Sequence, residues 1–318
     1  NDSVLITKLL NIHTDRVAET TTTSSSHDGI KINQSIENKQ QDQSFVNKNL
    51  PKPKYVNKSA SSADRKSTLL IRKNIGESHS KAAALDGNWK CPNITDNKNS
   101  LECGCDVPFT LRCSGDVHGL SLIAKGLRTS TSIVSILDCT LRNVTVLNEA
   151  RIFENVSSRV SLTGVFISSG EIKRIHRLAF SGLQTPLQIL GLPNNALTSV
   201  PSNAFQQLTS LDRLDLSNND IKLLAPTDFV PLQKLTYLEL SENQISSISQ
   251  KTFLPLKNLV TLKLNGNKLG NSPGSLKTIA ECINLRDLDL KSNLIKGSLN
   301  SNMLPVLKEL EVLEKEKN

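Results

Sequence analysis

Leu211-Asp212-Arg213-Leu214-Asp215-Leu216-Ser217-Asn218-Asn219-Asp220-Ile221 is the key to the architecture, because it returns. The same frame reads Leu235, Leu238, Leu240, Asn243 and Ile245, then Leu259, Leu262, Leu264, Asn267 and Leu269. One unit earlier it reads Leu187, Leu190, Leu192, Asn195 and Leu197, and the last full copy is Leu285, Leu288, Leu290, Asn293 and Ile295. The copies begin at Leu187, Leu211, Leu235, Leu259 and Leu285, an even spacing that lengthens slightly at the last step. Leu310 and Leu313 open a further unit, in which Asn318 falls in the Asn slot and Lys315 puts a charge in an inward slot. Weaker copies precede the series, at Leu162, Val165, Ile167, Gly170 and Ile172, and at Val134, Leu137, Cys139 and Val144. Self-similarity at such a fixed period is the mark of a solenoid, in which each unit buries its faces against its neighbours.

Within each unit the Leu-x-Leu core predicts a short strand with alternate side chains pointing inward. Strands of successive units pair in parallel and so satisfy one another's backbone groups. The inward Asn carries both a donor and an acceptor, which suits it to bond backbone groups of the following turn. A second period runs through Phe180, Phe205, Phe229 and Phe253, which predicts an aromatic spine on the turn side of the solenoid. Cys282 stands where other units place Leu208, Leu232 and Leu256, and Cys139 stands in an inward strand slot. Both are expected to be buried free thiols acting as small apolar residues.

Upstream of the repeats the composition changes. Residues 1–86 are rich in Ser, Thr, Asn, Gln and Lys and hold no Cys. They include the run Glu19-Thr20-Thr21-Thr22-Thr23-Ser24-Ser25-Ser26 and the linker-like Pro51-Lys52-Pro53-Lys54. Such a stretch cannot offset its conformational entropy by apolar burial, so a disordered polar arm is expected. Its basic groups, Lys52, Lys54 and Lys58, then Arg65, Lys66, Arg72 and Lys73, are expected to be a solvated linker with at most weak glycosaminoglycan contact. Four cysteines then fall close together, Cys91, Cys103, Cys105 and Cys113. They either bind zinc or form two disulfides, and the unequal spacing fits zinc knuckles poorly. Asn-x-Ser/Thr sequons begin at Asn1, Asn33, Asn57, Asn93, Asn143 and Asn155, and none follows residue 160. Cysteines and sequons together favour an oxidising, extracellular setting, with Asn93, Asn143 and Asn155 as glycosylation candidates.

The repeat frame resembles that of extracellular leucine-rich repeat proteins with units of roughly 24 residues. The resemblance covers about residues 90–318 and is similar to the chaoptin, connectin and Slit kind of arthropod proteins. Ser161–Ile175 and Gly191-Leu192-Pro193-Asn194-Asn195-Ala196-Leu197 look most like the Convoluted-like insect relatives of the acid-labile subunit of growth-factor-binding complexes. The resemblance implies an α/β solenoid, a right-handed leucine-rich repeat horseshoe with short parallel strands on its concave face. It also implies that the four early cysteines form an N-terminal flank pairing Cys91 with Cys105 and Cys103 with Cys113, although the gap after Cys91 is longer than in most such flanks. The expected organisation is a disordered arm over 1–86, a cysteine-rich cap over 87–130, degenerate repeats over 131–186 and regular repeats over 187–318. With no cysteine-rich flank after the last unit, the chain reads as a fragment of a longer protein.

Several functions are disfavoured by composition. No run approaches the roughly 18 apolar residues of a spanning helix, so no membrane span is expected. Residues 1–86 carry 13 Lys/Arg against 9 Asp/Glu and residues 87–318 carry 25 against 21, so each part is only +4. Nucleic-acid binding would need a basic patch with aromatic stacking platforms, and none is present. The five histidines, at 13, 27, 79, 118 and 176, form no metal or catalytic motif, so neither an enzyme nor a cofactor is expected. The variable strand positions instead predict a polar face centred on Tyr237, with Asp212, Asp215, Glu239, Lys263 and Asp289 as contacts for a protein ligand. The resulting expectation is an extracellular protein-binding scaffold of the matrix or cell surface. A soluble subunit binding a peptide growth factor and an enzyme inhibitor are the other readings.

Overall fold

The computed structural model describes residues 89–94, 101–105, 109–116, 118–147, 152–295 and 312–314, all within the unit Asn57–Asn318. The arm expected over 1–86 lies outside the described residues. Strands β1 (Leu101–Gly104) and β2 (Thr110–Gly115) form an antiparallel pair, followed by helix α1 (Gly119–Thr129). Then come β3 (Val134–Leu141), β4 (Val146–Leu147), β5 (Val160–Ser168), β6 (Arg174–Ile175), β7 (Ile189–Gly191), β8 (Arg213–Asp215), β9 (Leu223–Leu224) and β10 (Tyr237–Glu239). The chain continues through β11 (Ser247–Ile248), β12 (Thr261–Lys263), helix α2 (Pro273–Thr278), β13 (Asp287–Asp289) and β14 (Val312–Glu314).

One sheet organises these elements. Among the described residues its order is β1-β2-β3-β5-β7-β8-β10-β12-β13-β14, and every neighbour after β2 is parallel. The register runs Leu111, Leu137, Val165, Leu190, Leu214, Leu238, Leu262, Leu288 and Leu313 straight across it. The repeat frame therefore reads the pairing correctly, and Leu313 opens a real rung opposite Leu288. The parallel ladder begins one strand earlier than the weakest sequence copy, at β2, inside the stretch expected to be only a cap. Two short pairs, β4 with β6 and β9 with β11, join successive units beyond the Asn slots.

The core is the inward column of leucines, most of them wholly inaccessible to solvent. On the turn side the phenylalanine spine is present and starts one unit before Phe180, at Phe153. Phe229 and Phe253 stack with ring centroids 6.2 Å apart. Ile279 and Cys282 take over the Phe and Leu slots in the longer unit before Leu285, whose extra length accommodates α2. In that unit Ser275 Oγ accepts from Ile248 N, and Glu281 accepts from Lys251 N and Phe253 N. The repeat frame does not anticipate helix α1, although Leu120, Ile123, Ala124 and Leu127 carry a helical apolar period that the frame masks.

The asparagines do more than bond their own turn. Asn219 Nδ2 donates to Leu216 O of its own unit and to Leu192 O of the preceding one, while its Oδ1 accepts from Leu197 N. Asn243 repeats this with Leu240 O, Leu216 O and Ile221 N. Asn267 and Asn293 do the same one and two units on. Each intervening leucine carbonyl thus accepts from two amides, and the chain Asn195, Leu192 O, Asn219, Leu216 O, Asn243, Leu240 O, Asn267, Leu264 O, Asn293 runs unbroken. The residue before each Asn turns through positive φ: Asn194, Asn218, Glu242, Gly266 and Ser292.

Burying a leucine in place of Asn243 would gain roughly 2 kcal/mol of apolar transfer. It would also leave the Ile221 N–H without an acceptor, at a cost of about 1–3 kcal/mol, and weaken three carbonyl contacts. The polar loss wins. Asn243→Ala is expected to lower unfolding stability by about 2 kcal/mol or more, read as the shift in denaturant midpoint. Asn243→Leu is expected not to recover the wild-type midpoint.

Candidate strand-face site

The sheet has two outward rows. The first, before the inward leucine, is Thr110, Ile136, Gly164, Ile189, Arg213, Tyr237, Thr261 and Asp287. The second, after it, is Arg112, Asp138, Phe166, Gly191, Asp215, Glu239, Lys263 and Asp289. Parallel neighbours lie about 4.8 Å apart, so each row is a ladder in which neighbouring side chains come within reach of one another, with Gly164 and Gly191 as the gaps.

Four of the sequence-predicted residues, Asp215, Glu239, Lys263 and Asp289, fall on consecutive rungs of one row. Tyr237 stands in the adjoining row, and Asp212 lies at the edge before β8. The structure brings all six together, but it gives three of them another task. Asp215 and Glu239, expected to touch a ligand, are 2% and 1% exposed. Their carboxylates turn onto the backbone leaving the strand. Asp215 Oδ1 accepts from Ser217 N at 2.9 Å and Ser217 Oγ at 2.6 Å, and Glu239 Oε1 accepts from Ser241 N at 3.1 Å. Asp289 accepts from Lys291 N in the same way. An acid in this slot caps an N–H two positions on.

The half-buried members keep outward-facing chemistry. Tyr237 OH donates to Glu239 Oε2 at 3.0 Å, and the Arg213 guanidinium lies 5.8 Å from the ring centroid, within cation–π range. Lys263 Nζ pairs at 2.8 Å with Asp287, a residue the sequence reading left out. Asp212 bridges Arg213 at 3.5 Å and accepts from Thr236 Oγ1 at 2.6 Å. Toward β5 the face turns apolar, with Ile136 and Phe166 packed against Ile189 and Tyr237. Gly191 makes this possible, because a Cβ there would collide with the Phe166 ring. The sequence signal for that cluster was the apolar Phe166 in a variable slot between Val165 and Ile167.

Electrostatics follow from the register. Glu239 faces Asp215 directly across the ladder. Burial, then repulsion from Asp215, push its carboxyl up to about 7, against opposing hydrogen bonds from Ser241 and Tyr237. Burial and the nearby carboxylates also push the Tyr237 phenol up, so it stays a donor at physiological pH. Among the described residues no group of three or more His, Cys, Asp or Glu is placed to hold a metal ion. A cleft of about 240 Å³ near β6 is lined by Lys173, Arg174, Ile175, Leu197, Ser199, Val200, Pro201, Ser202 and Asn203. Among the described residues no helix is long and apolar enough to cross a membrane.

The four early cysteines pair as Cys91–Cys105 and Cys103–Cys113. Trp89 holds the start of this region, donating Nε1–H to Ile133 O at 2.8 Å and meeting Phe109 edge to face at 5.6 Å. Asn93, Asn143 and Asn155 are all exposed.

The folded chain holds the Glu239 proton more tightly than the unfolded chain does. Stability is therefore expected to fall as pH rises from about 4.5 through about 7, and to recover on acidification. Glu239→Gln should flatten that window in pH-dependent melting. Asp215→Asn should lower the Glu239 pKa, read by carboxyl NMR titration; an unchanged value would refute the coupling.

A leucine-rich repeat family model matches residues 160–221, 185–245 and 218–269. Among solved structures the chain is similar to an internalin from Listeria monocytogenes, at 20% identity and a TM-score of 0.44 over 62% of this chain and 51% of that one. It is also similar to a structure of the Toll–Spatzle complex from Drosophila, at 22% identity and a TM-score of 0.42 over 60% of this chain and 28% of that one. The chain thus spans about half of the internalin and less of the second. No curated protein matches it in sequence. Residues 160–269 are leucine-rich repeats, and the fold they belong to is a leucine-rich repeat solenoid.

Proposed function

We propose that the chain works outside the cell as a protein-binding scaffold, organising matrix or cell-surface proteins through the outward face of its sheet. Leucine-rich repeat domains generally mediate protein–protein contact, and this one presents an anchor of the right kind. The observation that carries the reading is half-buried Tyr237, with Arg213 over its ring, the Ile136–Phe166 cluster that it packs against and the Lys263–Asp287 pair on the neighbouring strands. Aromatic and arginine side chains in a charged frame dominate the energetics of protein interfaces. Asp215 and Glu239 are buried in supporting the turns under this anchor, which leaves Tyr237, Arg213, Lys263, Asp212 and the more exposed Asp289 for contact. Two disulfides and exposed sequon asparagines at 93, 143 and 155 favour a secretory route. A soluble carrier of a peptide growth factor, of the acid-labile-subunit kind, would use the same face and differ in the partner recovered.

Cross-linking the secreted chain to its native tissue surface, with the captured protein identified and quantified, tests the face. Tyr237→Ala with Arg213→Ala is expected to reduce capture at least about tenfold, the loss expected on truncating such hot-spot side chains. Leu254→Asn, at an exposed position on the turn side, is expected to leave capture unchanged. Equal capture by a folded double variant would remove the proposal. Secreted protein is also expected to lose mass on treatment with an N-glycosidase, and an unchanged mass would count against glycosylation at the three asparagines.

A further inference from the structure

Cys139 is a free, fully buried thiol that the scaffold reading does not use. Its place in the register gives it chemistry. Cys103 of β1 lies opposite Cys113 of β2, and Cys113 lies opposite Cys139 of β3. Three cysteines therefore occupy successive positions on one line across three hydrogen-bonded strands. Cys113 and Cys139 both point inward, each next but one after an inward leucine, Leu111 and Leu137. The Cys103–Cys113 disulfide spans the first step, with Cα atoms 4.1 Å apart. The second step has the roughly 4.8 Å spacing of paired strands, within the Cα range that a disulfide bridges. In the strand order Cys139 thus sits on the far side of Cys113 from Cys103, the side from which a thiolate can attack Cys113 with Cys103 as the leaving group.

We propose that Cys139 is an exchange thiol built into the cap, which can transfer the Cys113 bond from β1 to β3. The Cys139 thiol gives up its proton, its sulfur forms a bond to Cys113 Sγ, and the Cys103–Cys113 bond breaks. Cys103 leaves as a thiolate and takes up a proton, so one disulfide and one thiol become one disulfide and one thiol, with no external oxidant or reductant. In the starting state the edge strand β1 is tied to β2, whereas in the product β2 is tied to the first repeat and β1 is held by Cys91–Cys105 and its backbone pairing. The closed fold holds the exchange in check, because burial and the neighbouring Asp138 carboxylate keep Cys139 protonated, and only a thiolate attacks. Opening of the β1–β2 hairpin or of the β3 end of the core releases that restraint.

Disulfide mapping of the full secreted chain tests the device. Cys103→Ser is expected to yield protein in which most molecules carry a Cys113–Cys139 bridge, and alkylation of both thiols in that variant would overturn the proposal. If the variant is not secreted, wild-type protein decides. Incubated at about pH 9, above the ordinary thiol pKa, in mild denaturant and then acid-quenched, it is expected to show the Cys113–Cys139 peptide with Cys103 alkylated. The yield should not depend on protein concentration. Exclusive retention of Cys103–Cys113 under those conditions would overturn the proposal, and so would a Cys113–Cys139 bridge confined to disulfide-linked dimers. Cys139→Ser should show no exchange while keeping Cys103–Cys113.

Discussion

One constraint governs the solenoid: every turn leaving a strand buries backbone groups that no strand neighbour can reach. The asparagine column meets it. Each amide donates to a leucine carbonyl of its own unit and to the corresponding carbonyl one unit back, and its oxygen accepts an N–H of the preceding unit. No turn is therefore satisfied within its own unit. The hydrogen bonding is as cooperative along the array as the leucine packing, and both require neighbours. The left-handed residue before each Asn, glycine in one unit and asparagine, serine or glutamate in others, aims the amide into this chain.

An array that depends on neighbours has a problem at its first unit, and the cysteine-rich region meets it with covalent bonds. Strand β2 belongs to two structures at once, pairing antiparallel with β1 and parallel with β3. The cap is thus a continuation of the ladder with its last strand reversed. Helix α1 covers this end with Leu120, Ile123, Ala124 and Leu127, and two disulfides hold the short edge strand that packing alone would hold weakly. The same continuity puts a third cysteine, Cys139, in line with the second bridge.

The outward face shows how one position serves two ends. An acid after the inward leucine points out of the sheet, yet it is close enough to the exiting backbone to cap it, as Asp215, Glu239 and Asp289 do. That use draws the carboxylates down and raises the Tyr237 ring between Arg213 and Glu239 as the outward group. Two acids on adjacent rungs repel, and the resulting proton affinity of Glu239 reflects its surroundings on the sheet, not its local sequence.

The repeat, its register and the identity of the inward column are legible in the amino-acid order, because an inward leucine recurring once per unit has only one way to be buried by its neighbours. The same order made Cys282 legible as a core residue, from its place in the Leu208, Leu232 and Leu256 column. The Cys91–Cys105 and Cys103–Cys113 pairing was legible only through a family resemblance, since spacing alone left zinc open. Which outward residues face solvent emerges from the folded sheet, for a carboxylate such as Asp215 reads the same whether it meets a ligand or its own Ser217 N–H. The fold alone revealed α1, whose short apolar period lies between stronger signals, and the reach of Phe166 over Gly191, which depends on strands of successive units meeting side by side. The alignment of Cys103, Cys113 and Cys139 likewise exists only in the pairing. Periodicity specifies what must be buried along the chain, while contacts across the sheet decide what the remaining side chains do.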